Sequence, residues 1–331
     1  MDMKLDEVLT GWRESWLLRG DFAFAASWRL GDQARFDRLI VRDPVRANSP
    51  EGHRGYSACT LAEHIDLINR MQLRKVLCIC GDIGFLRDCP SVEDVIVCPA
   101  FGSPEDFDYS PLYDLPNLRA LSCSTACGAA CEGCTTVDYA RLPHLTRLHV
   151  GGDHGDRGHL GYERLTELEK LSVSGAKRHK RLADLCVSPA LRELSLLECS
   201  VKSLEGLHQH PQLRTLELSH CRALEDISAL REAAGSLRSL SIDSCPRIRD
   251  FSALGALTQL EELVLDGSNT LPDLAFLDAM PQLRFLRFTM NVADGDLSPC
   301  LRLPYASCRN RRHFSLRDEQ LPKRLPAQED D

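Results

Sequence analysis

Apolar residues recur along this chain in a six-residue pattern with apolar first, fourth and sixth positions. The pattern reads LTRLHV from 145, LEKLSV from 168, LRELSL from 191, LRTLEL from 213, LRSLSI from 237, LEELVL from 260 and LRFLRF from 283. The steps between these starts are 23, 23, 22, 24, 23 and 23 residues. LRALSC at 118 and VEDVIV at 92 extend the series with steps of 27 and 26, LRKVLC at 73 fits it, and FDRLIV at 36 is a degenerate first copy. Strand side chains alternate between faces, so each copy predicts a short strand with one apolar edge turned inward. One copy cannot bury its leucines alone, whereas stacked copies enclose a continuous core.

Polar positions mark what lies between the strands. Asp226, Asp250 and Asp273 stand where an N-cap belongs, ahead of the short apolar stretches DISALREAAGS, DFSALGALTQ and DLAFLDAMPQ. Pro211 and Pro281 end such stretches before the next strand. TLAEHIDLINRM (60–71) opens with Thr60 and Glu63, a capping box, and predicts a true helix. Residues 1–72 therefore read as an N-terminal cap containing a helix (LDEVLTGWRESWLL), an edge strand (FAFAASWRL), the degenerate repeat, a polar loop (43–58) and the helix at 60–71. Residues 73–296 carry the repeats, and 297–331 form a C-terminal cap with a final strand and a mobile AQEDD tail.

A period of this length is the signature of leucine-rich repeats. It predicts an α/β solenoid: a leucine-rich repeat horseshoe with a parallel β-sheet on the concave face and short helices or 3₁₀ turns on the convex face. Ten or so strands at about 4.8 Å spacing would span on the order of 50 Å, a surface suited to a protein rather than a small metabolite.

Composition narrows the function. The 331 residues carry a formal charge of −8, which argues against nucleic acid and for a basic protein partner. No apolar run reaches the roughly 18 residues that span a bilayer. The first residues lack the basic start and apolar stretch of a secretory signal. The expectation is a cytoplasmic protein that engages no membrane and keeps its 15 cysteines reduced.

Cys199, Cys221 and Cys245 hold the ninth position of their repeats, with Ser268 and Asn291 in the later copies. There a small buried thiol satisfies backbone groups where the strand turns away. The run CSTACGAACEGC holds Cys123, Cys127, Cys131 and Cys134. Cys123 occupies an inward strand position, which leaves Cys127, Cys131 and Cys134 as a three-ligand metal candidate without an obvious fourth. His149, His154 and His159 lie near Asp153 and Asp156 in a glycine-rich loop that reads as a contact loop. CICGDIG lacks the long helix that a phosphate site needs. No catalytic set is visible, and no cofactor is implied.

The outward strand positions carry the candidate partner-binding residues. Glu193, Glu217, Asp243, Glu262 and Asp266 fall on four adjacent strands and would form an acidic concave patch. Phe285 and Arg287 would add an aromatic and arginine anchor. Arg119, Arg192, Arg214, Arg238 and Arg284 recur beside the first leucine of their repeats and would line one rim, while RNRRH (309–313) is a short basic run.

Residues 73–296 resemble the bacterial, internalin-like leucine-rich repeat family. FDYSPLYDLPNLRAL (107–121), CRALEDISAL (221–230) and DGDLSPCLRL (294–303) look similar to cytosolic bacterial leucine-rich repeat proteins, some of which resemble the immunity partners of polymorphic toxins. That resemblance implies a non-catalytic inhibitor that binds a cognate basic toxin domain and occludes it. The alternatives are a scaffold or secreted effector that binds host proteins, and a metal-binding protein built on the 127–134 cysteines.

Overall fold

The computed structural model describes residues 22–24, 38–42, 60–97, 107–124, 137–151 and 159–324. These fall into two compact units, Met1–Gly161 and Tyr162–Asp331. Outside the described residues lie the expected N-terminal helix, the 43–58 loop, the AQEDD tail, Asp153, His154, Asp156 and Cys127, Cys131 and Cys134.

In the first unit, β1 (Phe22–Phe24), β2 (Arg38–Arg42), β3 (Lys75–Ile79), β4 (Asp94–Val97), β5 (Ala120–Ser124) and β7 (Arg147–Gly151) pair in parallel, each with the next. The two-residue strands β6 (Val137–Asp138) and β8 (His159–Leu160) form a separate pair. Helix α1 (Leu61–Met71) precedes β3. Its capping box is complete: the Glu63 N–H donates to Thr60 Oγ1 at 3.3 Å and the Thr60 N–H to Glu63 Oε2 at 2.7 Å. The inward positions of neighbouring strands stack as Leu39, Val76, Val95, Leu121 and Leu148, all buried. On β2–β4 the opposite face is buried as well, through Ile40, Leu77 and Ile96. That is the pattern of a parallel sheet covered on both sides at these central positions, while Lys75 and Ile79 beside them stay part-exposed.

The second unit contains β9 (Lys170–Ser174), β10 (Glu193–Leu197), β11 (Thr215–Ser219), β12 (Ser239–Asp243), β13 (Glu262–Asp266), β15 (Phe285–Phe288) and β17 (Tyr305–Cys308), again parallel and each hydrogen-bonded to the next. The short strands β14 (Thr270–Leu271) and β16 (Asn291–Val292) pair separately. Each main strand begins two residues after the first apolar residue of its repeat. The second and third apolar positions therefore become register-matched columns: Leu171, Leu194, Leu216, Leu240, Leu263 and Leu286 in one, Val173, Leu196, Leu218, Ile242, Leu265 and Phe288 in the other. All are buried. This is the leucine-rich repeat architecture, an α/β solenoid with a parallel sheet on one side. LPYASC from 303 is a further copy that the leucine count misses, with Ala306 and Cys308 in the inward places.

The return segments are 3₁₀ turns, among them Leu207–Gln209, Ser228–Ala233, Ser252–Ala256 and Ala275–Ala279. Three to six residues are too few to nucleate an α-helix, and 3₁₀ geometry closes in short pieces. Asp226, Asp250 and Asp273 each accept the N–H two residues ahead, from Ser228, Ser252 and Ala275, at 2.8 Å. They act as Asx turns, one residue earlier than the N-cap expected of them.

At the strand exits Glu198, His220 and Ser244 adopt φ of 53°, 53° and 52°. Each N–H bonds to the next strand, on the carbonyls of Ser219, Asp243 and Asp266. The following Cys199, Cys221 and Cys245 are buried, and their thiols donate to the carbonyls of Val173, Leu196 and Leu218. In the next repeat the role passes to Asn269, not to Ser268. Gly267 takes φ 133°, the turn gains a residue, Ser268 is exposed, and Asn269 Nδ2 donates to the carbonyls of Cys245 at 3.1 Å and Ile248 at 2.9 Å. Only glycine tolerates that φ readily, so the ninth-position count slips by one here.

The last strand of the second unit is closed. The Ala306 N–H donates to the Pro322 carbonyl, the Arg324 N–H to the Pro304 carbonyl, and the Cys308 N–H to Asp318 Oδ1 at 2.8 Å. An exposed strand edge templates pairing with other chains, and residues 318–324 occupy it. No helix among the described residues is long and apolar enough to cross a membrane.

Candidate binding surface

Register in the second unit converts a one-dimensional pattern into a grid. One outward column runs Lys170, Glu193, Thr215, Ser239, Glu262, Phe285 and Tyr305. The next runs Ser172, Ser195, Glu217, Ser241, Val264, Arg287 and Ser307. A third holds Ser174, Leu197, Ser219, Asp243 and Asp266. Glu193, Glu217, Asp243, Glu262, Asp266, Phe285 and Arg287 thus share one face over five strands.

The acids on this face differ in how they are held. Glu193 pairs with Lys170, and Asp266 with Arg287 at 2.7 Å. Asp266 has only 19% of its side chain exposed, so its charge is largely cancelled in place. Glu262 accepts a hydrogen bond from Ser239 at 3.2 Å. Asp243 accepts from Ser244 at 2.8 Å and Ser219 at 3.4 Å. Glu217 is exposed and makes no ion pair among the described residues. The acidic patch is therefore centred on Glu217, Asp243 and Glu262, and is narrower than a count of carboxylates suggests.

Phe285 has a partner that sequence reasoning missed. Its ring lies parallel to that of Tyr305, with centroids 4.8 Å apart and planes 1° from each other. Lys323 Nζ stands 5.3 Å from the Tyr305 centroid on the edge-closing segment. Tyr305 was hidden because its repeat carries Ala306 and Cys308 in place of two leucines. Two stacked rings at the end of a polar face form the rigid, amphipathic surface favoured at binding hot spots.

Ser219, His220 and Asp243 also meet on this face. Ser219 Oγ lies 2.9 Å from His220 Nδ1, and Asp243 Oδ2 lies 3.8 Å from that same nitrogen. A nucleophilic relay needs the base and the orienting acid on opposite ring nitrogens. Here both groups compete for one, so the trio does not form a relay.

The remaining candidates are dispersed. Arg119 belongs to the first unit and donates to the His144 carbonyl. In the second unit the arginine row is interrupted: Arg192, Arg214 and Arg238 bond along the backbone ladder to Glu261 and then Arg284, and Arg238 lies 3.6 Å from Glu261. His149 sits on β7, where burial pushes its imidazole down to about 4. His159 is buried and stacks against Tyr139, whose hydroxyl lies 2.7 Å from its Nδ1. Cys123 is a buried core residue of β5. Among the described residues no three His, Cys, Asp or Glu side chains converge as a metal site would require. Several buried thiols are held protonated. Hydrogen bonding with Cys199 and burial push Cys221 up to about 12, and burial pushes Cys300 to about 12 and Cys308 to about 11.

No family model matches the chain. A putative adenylate cyclase regulatory protein of Trypanosoma equiperdum is 30% identical over 149 residues, which are 44% of this chain and 24% of that protein. The chain thus spans about a quarter of that relative's length. Among solved structures it is similar to an internalin from Listeria monocytogenes, at 18% identity and a TM-score of 0.49, over 76% of this chain and 71% of that one. An internalin C2 from the same organism is similar at 20% identity and a TM-score of 0.43, over 60% and 83% of the two chains.

Proposed function

We propose that this protein is a non-catalytic binding module that holds a protein partner on the open sheet face of the second unit. One observation carries the proposal: seven register-matched strands lay out short polar side chains over roughly 30 Å, with Glu217 uncompensated near the centre and the Phe285–Tyr305 stack at one end. A surface of that extent fits a folded domain better than a metabolite. Its partner is a basic domain, steered by Glu217, Asp243 and Glu262 and anchored on Phe285 and Arg287.

Within that class, the resemblance to immunity proteins supports a cytoplasmic inhibitor that binds a cognate bacterial toxin and covers its active site. The test is co-expression with the toxin encoded beside this chain's gene. A stoichiometric complex and restored growth are expected; a toxin that neither binds nor is neutralised removes the inhibitor role. The second reading is a scaffold or effector that regulates a partner enzyme, supported by the name of the trypanosomal relative. It predicts capture of an enzyme whose turnover changes on binding, with no protection from a toxin. The metal-binding alternative rests on Cys127, Cys131 and Cys134, and elemental analysis well below one metal per purified chain would end it.

A further inference from the structure

The end of the second unit has a chemistry opposite to that of its sheet face. Residues 302–324 carry seven Lys or Arg against two Asp or Glu, in a chain whose net charge is −8. A cleft of about 540 Å³ opens there between Leu301–Pro304 and Gln320–Arg324. Leu301, at 51% exposure the most exposed large apolar side chain among the described residues, lies at its lip, with Leu303 and Leu321 buried below. The cations on the cleft are incompletely neutralised. Arg302 reaches Asp278 only at 3.9 Å, on a carboxylate 79% exposed, and Arg324 makes no ion pair among the described residues.

The walls are fixed by the edge closure. The Arg324 N–H donates to the Pro304 carbonyl, and Lys323 Nζ donates to the Ala306 carbonyl and Asp318 at 2.8 Å each. The cleft is therefore a built feature of how the last strand ends. The exposed Leu301 side chain beside the partly neutralised Arg302 and the Arg324 guanidinium asks for a ligand that combines carboxylates with one apolar side chain.

We propose that this cleft docks an acidic peptide segment of a partner protein, with a leucine-like side chain seated against Leu301 and flanking carboxylates on Arg302 and Arg324. The cleft adjoins the sheet face, since Lys323 lines it and stands over the Tyr305 ring, but its proposed ligand does not depend on the function proposed for that face. Nucleic acid would share the attraction to cations but gains little from the exposed Leu301 side chain.

The experiment is fluorescence anisotropy of the full chain with three labelled probes: a nine-residue aspartate-rich peptide with one central leucine, the same peptide with serine in place of leucine, and a nine-nucleotide single strand. The leucine peptide should bind roughly tenfold more tightly than either other probe, because burying one such side chain contributes about 1.5 kcal/mol. Charge reversal by Arg302→Glu with Arg324→Glu should weaken it by at least about tenfold, and Leu301→Ser should remove the preference for leucine over serine. All changed side chains are exposed, and an unchanged circular dichroism spectrum checks the fold. Equal binding of the three probes, binding unaffected by the arginine reversals, or no binding of the leucine peptide at millimolar concentration would each overturn the proposal.

Discussion

Asn269 donates through one amide nitrogen to the carbonyls of Cys245 and Ile248, taking over in its repeat the backbone-satisfying work that Cys245 does in the repeat before. The amide bonds at 3.1 and 2.9 Å, where the thiol reaches a carbonyl only at 3.4 to 3.7 Å. Removing the amide leaves the Ile248 carbonyl without this donor and the Cys245 carbonyl with only the Ile248 N–H at 3.3 Å. Asn269→Ala should therefore cost about 2–4 kcal/mol, and Ser268→Ala well under about 1 kcal/mol. Urea denaturation followed by circular dichroism measures both. Equal losses would mean that the ninth-position count was correct after all.

The thiol ladder should be chemically silent. Thiolates, not thiols, react with alkylating agents, and hydrogen bonding with Cys199 together with burial pushes the Cys221 thiol up to about 12. In native protein at mildly alkaline pH, Cys199, Cys221, Cys245 and Cys300 should take up iodoacetamide at least about a hundredfold more slowly than in urea-unfolded protein. Mass spectrometry of the digested protein locates the label. Fast native labelling of Cys221 would show that its repeat opens.

His210 should make the fold sensitive to acid. It is 1% exposed, and its Nδ1 lies 2.7 Å from the Ser188 carbonyl. Burial lowers its pKa from the usual 6.5, so the folded state holds it neutral. Below about pH 6.5 the unfolded chain binds a proton that the folded chain refuses, so stability is present above that pH and falls as pH falls. His210→Gln should be less stable than the native sequence at about pH 7.5 but should lose less on going to about pH 5. Parallel acid slopes for the two proteins would exclude His210 as the sensor.

Asp318 should guard the sheet edge. It accepts from the Cys308 N–H, Ser307 Oγ and Lys323 Nζ. Burial raises its pKa, but the bonds from Lys323, Cys308 and Ser307 outweigh that and hold the carboxyl below its usual value of 3.8. Its contribution is present above that pH and lost as pH falls through the lowered value. Asp318→Ala should cost about 1–3 kcal/mol and free the edge for pairing. Light scattering at rising concentration should then show stronger self-association than the native chain does. A monomeric variant of unchanged stability would assign edge closure to residues 322–324 alone.

Glu217 tests the proposed face without touching the fold. Glu217→Lys is exposed and breaks no contact among the described residues, so its urea midpoint should hold within about 0.5 kcal/mol. Its association rate with a basic partner should fall several-fold, with a weaker dependence on salt. Phe285→Ala should act instead on the dissociation rate, by roughly tenfold or more. Unchanged kinetics in both variants would move the interface elsewhere on the molecule.

The strands were legible because burial in a stacked sheet repeats the same requirement every 22 to 24 residues. Leu194, Leu216, Leu240 and Leu263 stand where the periodicity puts them. The capping box at Thr60 and Glu63 was legible because both partners lie within one helical turn. Where a repeat replaced leucine with Ala306 and Cys308, the period lapsed, and the segment read only as a final strand of the C-terminal cap. Where Gly267 lengthened a turn, the count went wrong by one.

Sequence alone determined that these residues form parallel strands, and which side chains point in or out, because strand alternation and the need to bury leucine are local rules. Tertiary structure decided which charges remain free. Glu193 and Asp266 meet Lys170 and Arg287 only across strands that lie more than 20 residues apart in the chain, while Glu217 meets no such partner among the described residues. Pairing of that kind depends on register between repeats, and no pattern within a single repeat encodes it.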